Sequence, residues 1–150
     1  MGRPADVLRA CDEALALWRG APYEVVAHAT WTAPVTARME ELRGQLTERR
    51  LDALLALGDL ARALVDLEPL LVEFPFRERL WALRMTALAR SGRAEEALQT
   101  YRRVRTLLRD ELGLEPGAEL QELQRIVLVT GCRRPADPSV WWNSPDDPVC

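Results

Sequence analysis

An internal repeat with an offset of 34 residues constrains the fold of this chain more than any other feature. Each copy starts with a glycine, has an alanine five residues later and a large apolar residue four residues after that. The copies are Gly58-Asp59-Leu60 with Ala63-Leu64 and Leu67, and Gly92-Arg93-Ala94 with Ala97-Leu98 and Tyr101. The pattern predicts a repeated supersecondary unit.

The residue types of the repeat indicate pairs of antiparallel helices. Glycine ends one helix and lets the chain turn, and alanine lets two helices pack closely. A 34-residue period of this kind is typical of helix-turn-helix repeats of the tetratricopeptide type, with Trp81 and Leu88 at core positions of a first helix. Because two repeats cannot cover their own apolar faces, we expect flanking helices to act as caps.

Composition also favours helices over strands. All 20 basic residues are arginine, and the helix-forming residues alanine, leucine, arginine and glutamate are abundant. Isoleucine, phenylalanine and tyrosine, which favour strands, are scarce. The predicted fold is all-α, a tetratricopeptide-like antiparallel helical-repeat bundle of about six helices. We predict one domain over residues 5–130.

Apolar residues at helical spacing divide the chain into successive helices. Asp6, Thr32 and Asp59 are the predicted N-caps, since a short polar side chain accepts a hydrogen bond from a first-turn amide. Pro69 should kink or shorten the third helix, and Pro116 should lie in the first turn of the sixth. The helices are bounded by Asp6 and Trp18, by Thr32 and Gly58, by Asp59 and Pro75, by Arg77 and Arg90, by Gly92 and Gly113, and by Pro116 and Val127.

Neither a metal site nor a catalytic site is expected. The three cysteines are widely spaced, the one histidine is His28 in a predicted loop over Tyr23–Thr30, and Cys11 falls at an apolar helical position that should be buried. Adjacent carboxylates such as Glu95 and Glu96 point to different sides of a helix, so they cannot share a substrate. We predict that the chain is not an enzyme and binds no cofactor or metal.

Charge and hydropathy narrow the range of partners. The net charge is -3 and the sequence pI is about 5.3, which argues against a surface built to neutralise nucleic-acid phosphates. No apolar run approaches the roughly 20 residues of a membrane span, and the N-terminus lacks the order of a secretion signal. The expected compartment is the cytoplasm, with no membrane partner.

Two surfaces are candidates for contact with a partner. Arginines on the fifth helix are suited to an acidic partner or a phosphate backbone, and this basic stripe comprises Arg102, Arg103, Arg105 and Arg109. The alternative is a solvated face, with ion pairs one turn away from Glu95, Glu96, Asp110 and Glu111. The second surface is the concave face formed by the first helix of each repeat, with Gln45, Glu48, Asp52, Arg79, Thr86 and Arg90.

Several motifs resemble the bacterial transcriptional activator domain. They are Ala14–Gly20, Arg38–Arg43, and the more specific Pro75–Trp81, Ser91–Arg103 and Leu112–Pro116. The similarity covers about Ala5 to Leu128. This family occurs in Streptomyces antibiotic regulatory proteins and related actinobacterial regulators, where a tetratricopeptide-like domain follows an OmpR-type winged helix that contacts promoter DNA. The resemblance therefore implies a module of transcription regulation.

The sequence departs from the family pattern in two places. No winged-helix segment precedes Asp6, and Pro69 interrupts a helix that is usually continuous. We expect a truncated relative, a fragment or a stand-alone partner, which acts through another transcription regulator, a second copy of itself or RNA polymerase. DNA would be reached only through a separate domain. A general peptide-binding adaptor that uses the concave face is the alternative function.

The sequence changes character from Gly131 onward. Prolines recur through residues 131–150, and this segment is predicted to be a tail that does not fold by itself. The adjacent indoles of Trp141 and Trp142 either anchor into a groove on this or another chain or belong to a frayed terminus.

Overall fold

Six helices make up the part of the chain that the structure describes, which confirms the predicted all-α fold. This computed structural model describes residues 3–18 and 33–131, and these contain no strand. In chain order the helices are α1 (Pro4–Leu17), α2 (Ala33–Leu57), α3 (Leu60–Glu73), α4 (Glu78–Arg90), α5 (Ala94–Leu112) and α6 (Ala118–Gly131). The predicted loop at Tyr23–Thr30, the cap Thr32, and Trp141 and Trp142 lie outside the described residues.

The chain divides into two compact units, residues 1–59 and 60–150. In the first unit α1 packs against α2. Cys11 of α1 is a buried free cysteine, as predicted, and Leu51 and Leu54 of α2 have no exposed side-chain surface. The guanidinium of Arg50 donates a hydrogen bond of 2.5 Å from Nε to Oδ1 of Asp12, which links the two helices. Apolar contacts and the half-buried ion pair between Arg50 and Asp12 thus help to hold this helix pair together.

The start of α1 differs from the prediction. Arg3 occupies the N-cap position without a side-chain hydrogen bond, and Pro4 begins the helix. Asp6, the predicted N-cap, lies in the first turn instead. The fixed φ of proline suits the first helical position, so the helix starts earlier than the polar side chain indicates. The carboxylate of Asp6 still lies at the positive end of the helix dipole.

The two repeated glycines make the same turn. Gly58 and Gly92 have φ values of 79° and 75°, in the left-handed region that glycine enters without steric cost. After each glycine the next amide reaches back to close the helix end, from Asp59 N to Leu54 O at 3.0 Å and from Arg93 N to Leu88 O at 2.8 Å. The 34-residue repeat in the sequence is therefore a repeat of local geometry.

In the second unit α4 packs against three helices, α3, α5 and α6, and α5 also packs against α6. The predicted core residues are confirmed: Trp81 is 2% exposed, Leu88 2%, Ala97 0% and Tyr101 6%. The indole of Trp81 donates a hydrogen bond of 2.8 Å from Nε1 to the carbonyl oxygen of Pro75. Burial of the ring therefore leaves its one polar group satisfied.

Two predictions about prolines are corrected: α3 is not shortened at Pro69, which was one of the two outcomes expected there, and Pro116 does not lie in the first turn of α6. Pro69 does not shorten α3, which runs unbroken to Glu73. Proline removes one backbone hydrogen bond, and the burial of Leu67 and Leu71 on the inner side outweighs that loss. Pro116 lies before α6 rather than in its first turn, because the helix begins at Ala118.

Candidate interaction surfaces

The predicted concave face has one group of residues on α2. Gln45, Glu48 and Asp52 fall on one side of this helix, at separations of three and seven residues. Gln45 is exposed and its Nε2 donates a hydrogen bond of 3.1 Å to Oε1 of Glu41, whereas Glu48 and Asp52 are half-buried. The surface of the first unit here is polar and acidic.

The other group of predicted concave-face residues lies on α4 in the second unit. Arg79, Thr86 and Arg90 share one side of the helix and are all half-buried. Arg79 forms an ion pair with Glu119 of α6. The hydroxyl of Thr86 donates a hydrogen bond of 2.9 Å to the carbonyl oxygen of Ala82 in its own helix. This side of α4 thus carries Arg79 and Arg90 with Thr86 between them, and the hydroxyl oxygen of Thr86 can also accept a hydrogen bond.

The basic stripe of α5 is exposed at all four arginines, but three of them have contacts within the chain. Arg105 makes two hydrogen bonds to the carboxylate of Glu115, at 2.8 and 3.4 Å. Nε of Arg109 lies 3.4 Å from Oδ1 of Asp110, and the guanidinium carbon of Arg103 lies 5.5 Å from the ring centroid of Trp81. The stripe therefore presents less unpaired positive charge than its sequence indicates.

Two carboxylates that accept hydrogen bonds from arginines, Glu115 and Glu96, have lowered pKa values. Hydrogen bonding from Arg105 holds the pKa of Glu115 below its ordinary value of 4.5. The same effect lowers the pKa of Glu96, which accepts two hydrogen bonds of 2.6 Å from Arg93. Both carboxylates stay ionised at neutral pH and balance the arginines locally.

An apolar surface on α3 was not predicted from the helical pattern. Val65 is 70% exposed and Val72 is 79% exposed, and Pro69 between them is also exposed. These residues lie opposite the buried Ala63, Leu67 and Leu71. The signal in the sequence is that the apolar residues of this segment outnumber those that one helix face can hold.

The described residues show no arrangement that indicates catalysis. Within 3–18 and 33–131, no three histidine, cysteine, aspartate or glutamate side chains are grouped to hold a metal ion. Burial raises the pKa of the Cys11 thiol, so at neutral pH it carries no nucleophilic thiolate. His28 lies outside the described residues. No described helix has the length and hydropathy needed to cross a membrane.

The fold defines the class of protein as an all-α protein of tetratricopeptide-like helical repeats. Residues 1–128 match the family of the bacterial transcriptional activator domain, and the match covers every described helix except the last three residues of α6. The chain belongs to this family, as the sequence motifs indicated. Its relatives place it among the Streptomyces antibiotic regulatory protein family of regulators.

Curated relatives and a solved structure agree with this assignment. The chain is 40% identical to regulatory protein DnrI of Streptomyces peucetius over 137 residues, which are 91% of this chain and 48% of that protein. It is 46% identical to regulatory protein AfsR of Streptomyces coelicolor over 125 residues, 82% of this chain and 12% of that protein. These relatives are named as regulators rather than enzymes. The chain spans less than half of their length.

One solved structure that this chain resembles is Mycobacterium tuberculosis EmbR in complex with a low affinity phosphopeptide. It superimposes with a TM-score of 0.80 at 30% sequence identity, and the match covers 92% of this chain and 38% of EmbR. The helical-repeat fold is therefore shared with a transcriptional regulatory protein of Mycobacterium tuberculosis.

Proposed function

We propose that this chain is the regulatory protein-interaction module of a transcriptional activator and does not itself read DNA. It associates with another regulator or with RNA polymerase, and DNA is reached through a separate domain. The observation that carries the proposal is the exposed apolar surface of α3, because large apolar side chains left in water on a helix are typical of protein contact sites.

The charges of the described surface support the same function. Phosphate recognition needs arginines that are available to the ligand, whereas Arg105 and Arg109 have carboxylate neighbours. The net charge of -3 also opposes tight, salt-driven binding to a duplex. The phosphopeptide in complex with EmbR is an example of peptide recognition by a relative, of which this chain matches 38%.

Association in the absence of DNA tests this proposal. The purified chain is mixed with a complete regulator of the same family, each at about 50 µM, and the mixture is followed by size exclusion with light scattering. We expect a complex whose mass equals the sum of the two proteins. The isolated winged-helix domain of that regulator is the control and should elute separately. Failure of the complete regulator to bind, together with failure of RNA polymerase to bind, would contradict the proposal.

A peptide-binding adaptor is the second candidate, and the side of α4 that carries Arg79, Thr86 and Arg90 favours it. Arg79 and Arg90 have partners within the chain, and a peptide with carboxylate groups would have to replace those partners at the two half-buried guanidinium groups. Replacing Arg79 and Arg90 by alanine should then abolish peptide capture without changing the helical circular dichroism. Unchanged capture of an acidic peptide library would eliminate this surface.

A further inference from the structure

The helix α3 is apolar on two faces. Its inner face buries Ala63, Leu67 and Leu71, which are 0%, 0% and 6% exposed. Its outer face carries exposed apolar residues at spacings of three and four, which we call the outer row: Ala61, Val65, Pro69 and Val72. A contiguous apolar surface of this kind marks a contact site.

The charged residues beside the outer row do not select its occupant. Glu68 forms an ion pair with Arg84 of α4. Arg62, Asp66 and Glu73 of the same helix also have interactions within the chain. Recognition at the outer row therefore depends on apolar contact rather than on ionic attraction, and its occupant should present large apolar side chains.

The segment that follows α6 in the sequence carries such side chains. Residues 132–150, which we call the tail segment, contain Val140, Trp141 and Trp142 in succession, among residues that are mostly polar or proline. An indole offers a large apolar area, and tryptophan is among the residues that dominate binding energy at contact sites. The chemistry of Val140–Trp142 therefore matches that of the outer row.

The packing of the second unit sets the start of the tail segment near the start of α3. The helices α4 and α6 pack together and begin side by side, because Glu78 in the first turn of α4 accepts a hydrogen bond of 2.6 Å from the amide of Gly117, just before α6. The helices α3 and α4 run in opposite directions, since residues 74–77 join them and Glu68 pairs with Arg84 at the middle of both. Thus α6 ends at the end of this unit at which α3 begins.

The length of the tail segment is sufficient to reach the outer row. Packed helices have axes about 8 to 10 Å apart, so the axes of α3 and α6, which both pack against α4, lie within about 20 Å of each other. Trp141 follows Gly131, the last residue of α6, by ten residues, two of which are prolines. Ten residues of extended, proline-containing chain span about 31 Å. The two indoles can therefore pass around the end of the bundle to Ala61 and Val65.

We propose that Val140–Trp142 of the tail segment bind the outer row of α3 in their own chain, with the indoles packed against Val65. Because both surfaces belong to one chain, the short linker supplies an effective concentration of about a millimolar. A small apolar contact is then occupied, although it would be weak between separate molecules. This inference rests on the proposed function and deepens it, since the tail segment covers the surface that a protein partner would use and the partner has to displace it.

NMR of valine methyl groups in the full chain tests this contact. In W141S/W142S the methyl resonances of Val65 should shift, because the ring current of an indole acts only on groups close to it. The methyl resonances of Val129, which is 54% exposed on α6, and of the buried Val104 should not shift. The matched control is N143A/S144A, which alters the same segment, keeps both indoles and should leave Val65 unchanged.

The converse variant changes the outer row and reports on the indoles. In V65E the indole N–H resonances of Trp141 and Trp142 should move to the positions of indoles in water, and in V129E they should not. Unchanged Val65 resonances in W141S/W142S, or release of the indoles by V129E and not by V65E, would overturn the inference. A contact that increases between about 50 µM and about 500 µM would also overturn it, because a contact within one chain does not depend on concentration.

Competition with the partner is measured separately, by binding to a complete regulator of the family. W141S/W142S should bind about twofold to tenfold more tightly than the unmodified chain, since a segment that covers the surface for half to nine-tenths of the time weakens the apparent affinity by that factor. Equal affinity would overturn the competition. If no complex forms with either chain, the proposed function fails, while the contact between the indoles and Val65 is still decided by NMR.

Discussion

The methyl group of Ala97 has no exposed surface, and it lies on α5, which packs against α4 and α6. Its equivalent in the other copy of the repeat, Ala63, is buried to the same extent. At residue scale, such small side chains set how closely neighbouring helices approach, because a packed interior has no space for additional methylene groups.

Replacing Ala97 by leucine should therefore destabilise the protein by about 1 to 3 kcal/mol through overpacking. Urea unfolding followed by circular dichroism measures the change. Gln99→Leu, on the exposed side of the same helix, is the control and should change stability by less than about 0.5 kcal/mol. A neutral Ala97→Leu variant would mean that the repeat register is wrong.

The left-handed backbone conformation of Gly92 leads to a second prediction at the scale of a residue. Its φ is 75°, and a Cβ atom at this position would meet no described atom within 4 Å. The cost of Gly92→Ala thus comes from backbone strain alone, about 1 to 2 kcal/mol. Gly92→Asn should cost less, since asparagine enters the left-handed region more readily. If the Gly92→Ala variant were as stable to heat as the unmodified chain, the left-handed conformation of Gly92 would be contradicted.

At the scale of elements, hydrophobic periodicity predicted which segments are helices, and glycine predicted where α2, α4 and α5 end. It failed where two local preferences compete: Pro4 starts α1 ahead of Asp6, and α3 continues through Pro69. The exposed apolar residues of α3 were missed because helical periodicity identifies one apolar face of a helix and gives no role to the apolar residues outside that face. The partner of Arg105 was missed because Glu115 lies in a loop, beyond helical spacing.

Pro69 offers a direct test of α3. It is exposed inside a continuous helix and leaves the carbonyl oxygen of Val65 without its backbone amide donor. Pro69→Ala restores that donor at an exposed position, so the free energy of unfolding should rise by about 1 to 3 kcal/mol. Thermal unfolding measures the gain relative to the unmodified chain. A loss of stability would mean that the ring packs against something essential.

The stability of the fold depends on pH through Glu115, which lies in the connection between α5 and α6. Its pKa is lowered in the folded protein by hydrogen bonds from Arg105, so the ionised carboxylate stabilises the fold. This contribution is fully present above the ordinary value of 4.5 and is lost as the pH falls through the lower, folded value. In Arg105→Gln the pKa of Glu115 should rise towards 4.5 in a carboxyl NMR titration, and in Arg102→Gln it should not. An unchanged value in Arg105→Gln would show that the pair does not form in solution.

At the scale of the whole molecule, the chain is a family member that spans less than half of its curated relatives. Motifs identified the family because its short runs, such as Pro75–Trp81, combine the turn and core residues of one repeat. The candidate surfaces were less predictable, since exposure and ion pairing depend on residues distant in sequence. The peptide-binding face stays a prediction, and its residues are Gln45, Glu48, Asp52, Arg79, Thr86 and Arg90.

The most direct test of the central claim is a mobility-shift measurement on promoter DNA at about 0.15 M salt, with this chain alone and together with a complete regulator of the family. We predict no shift by the chain alone, and a further retardation of the complex between regulator and DNA when the chain is added. A specific shift of the promoter by the chain alone would contradict a function based on protein contacts.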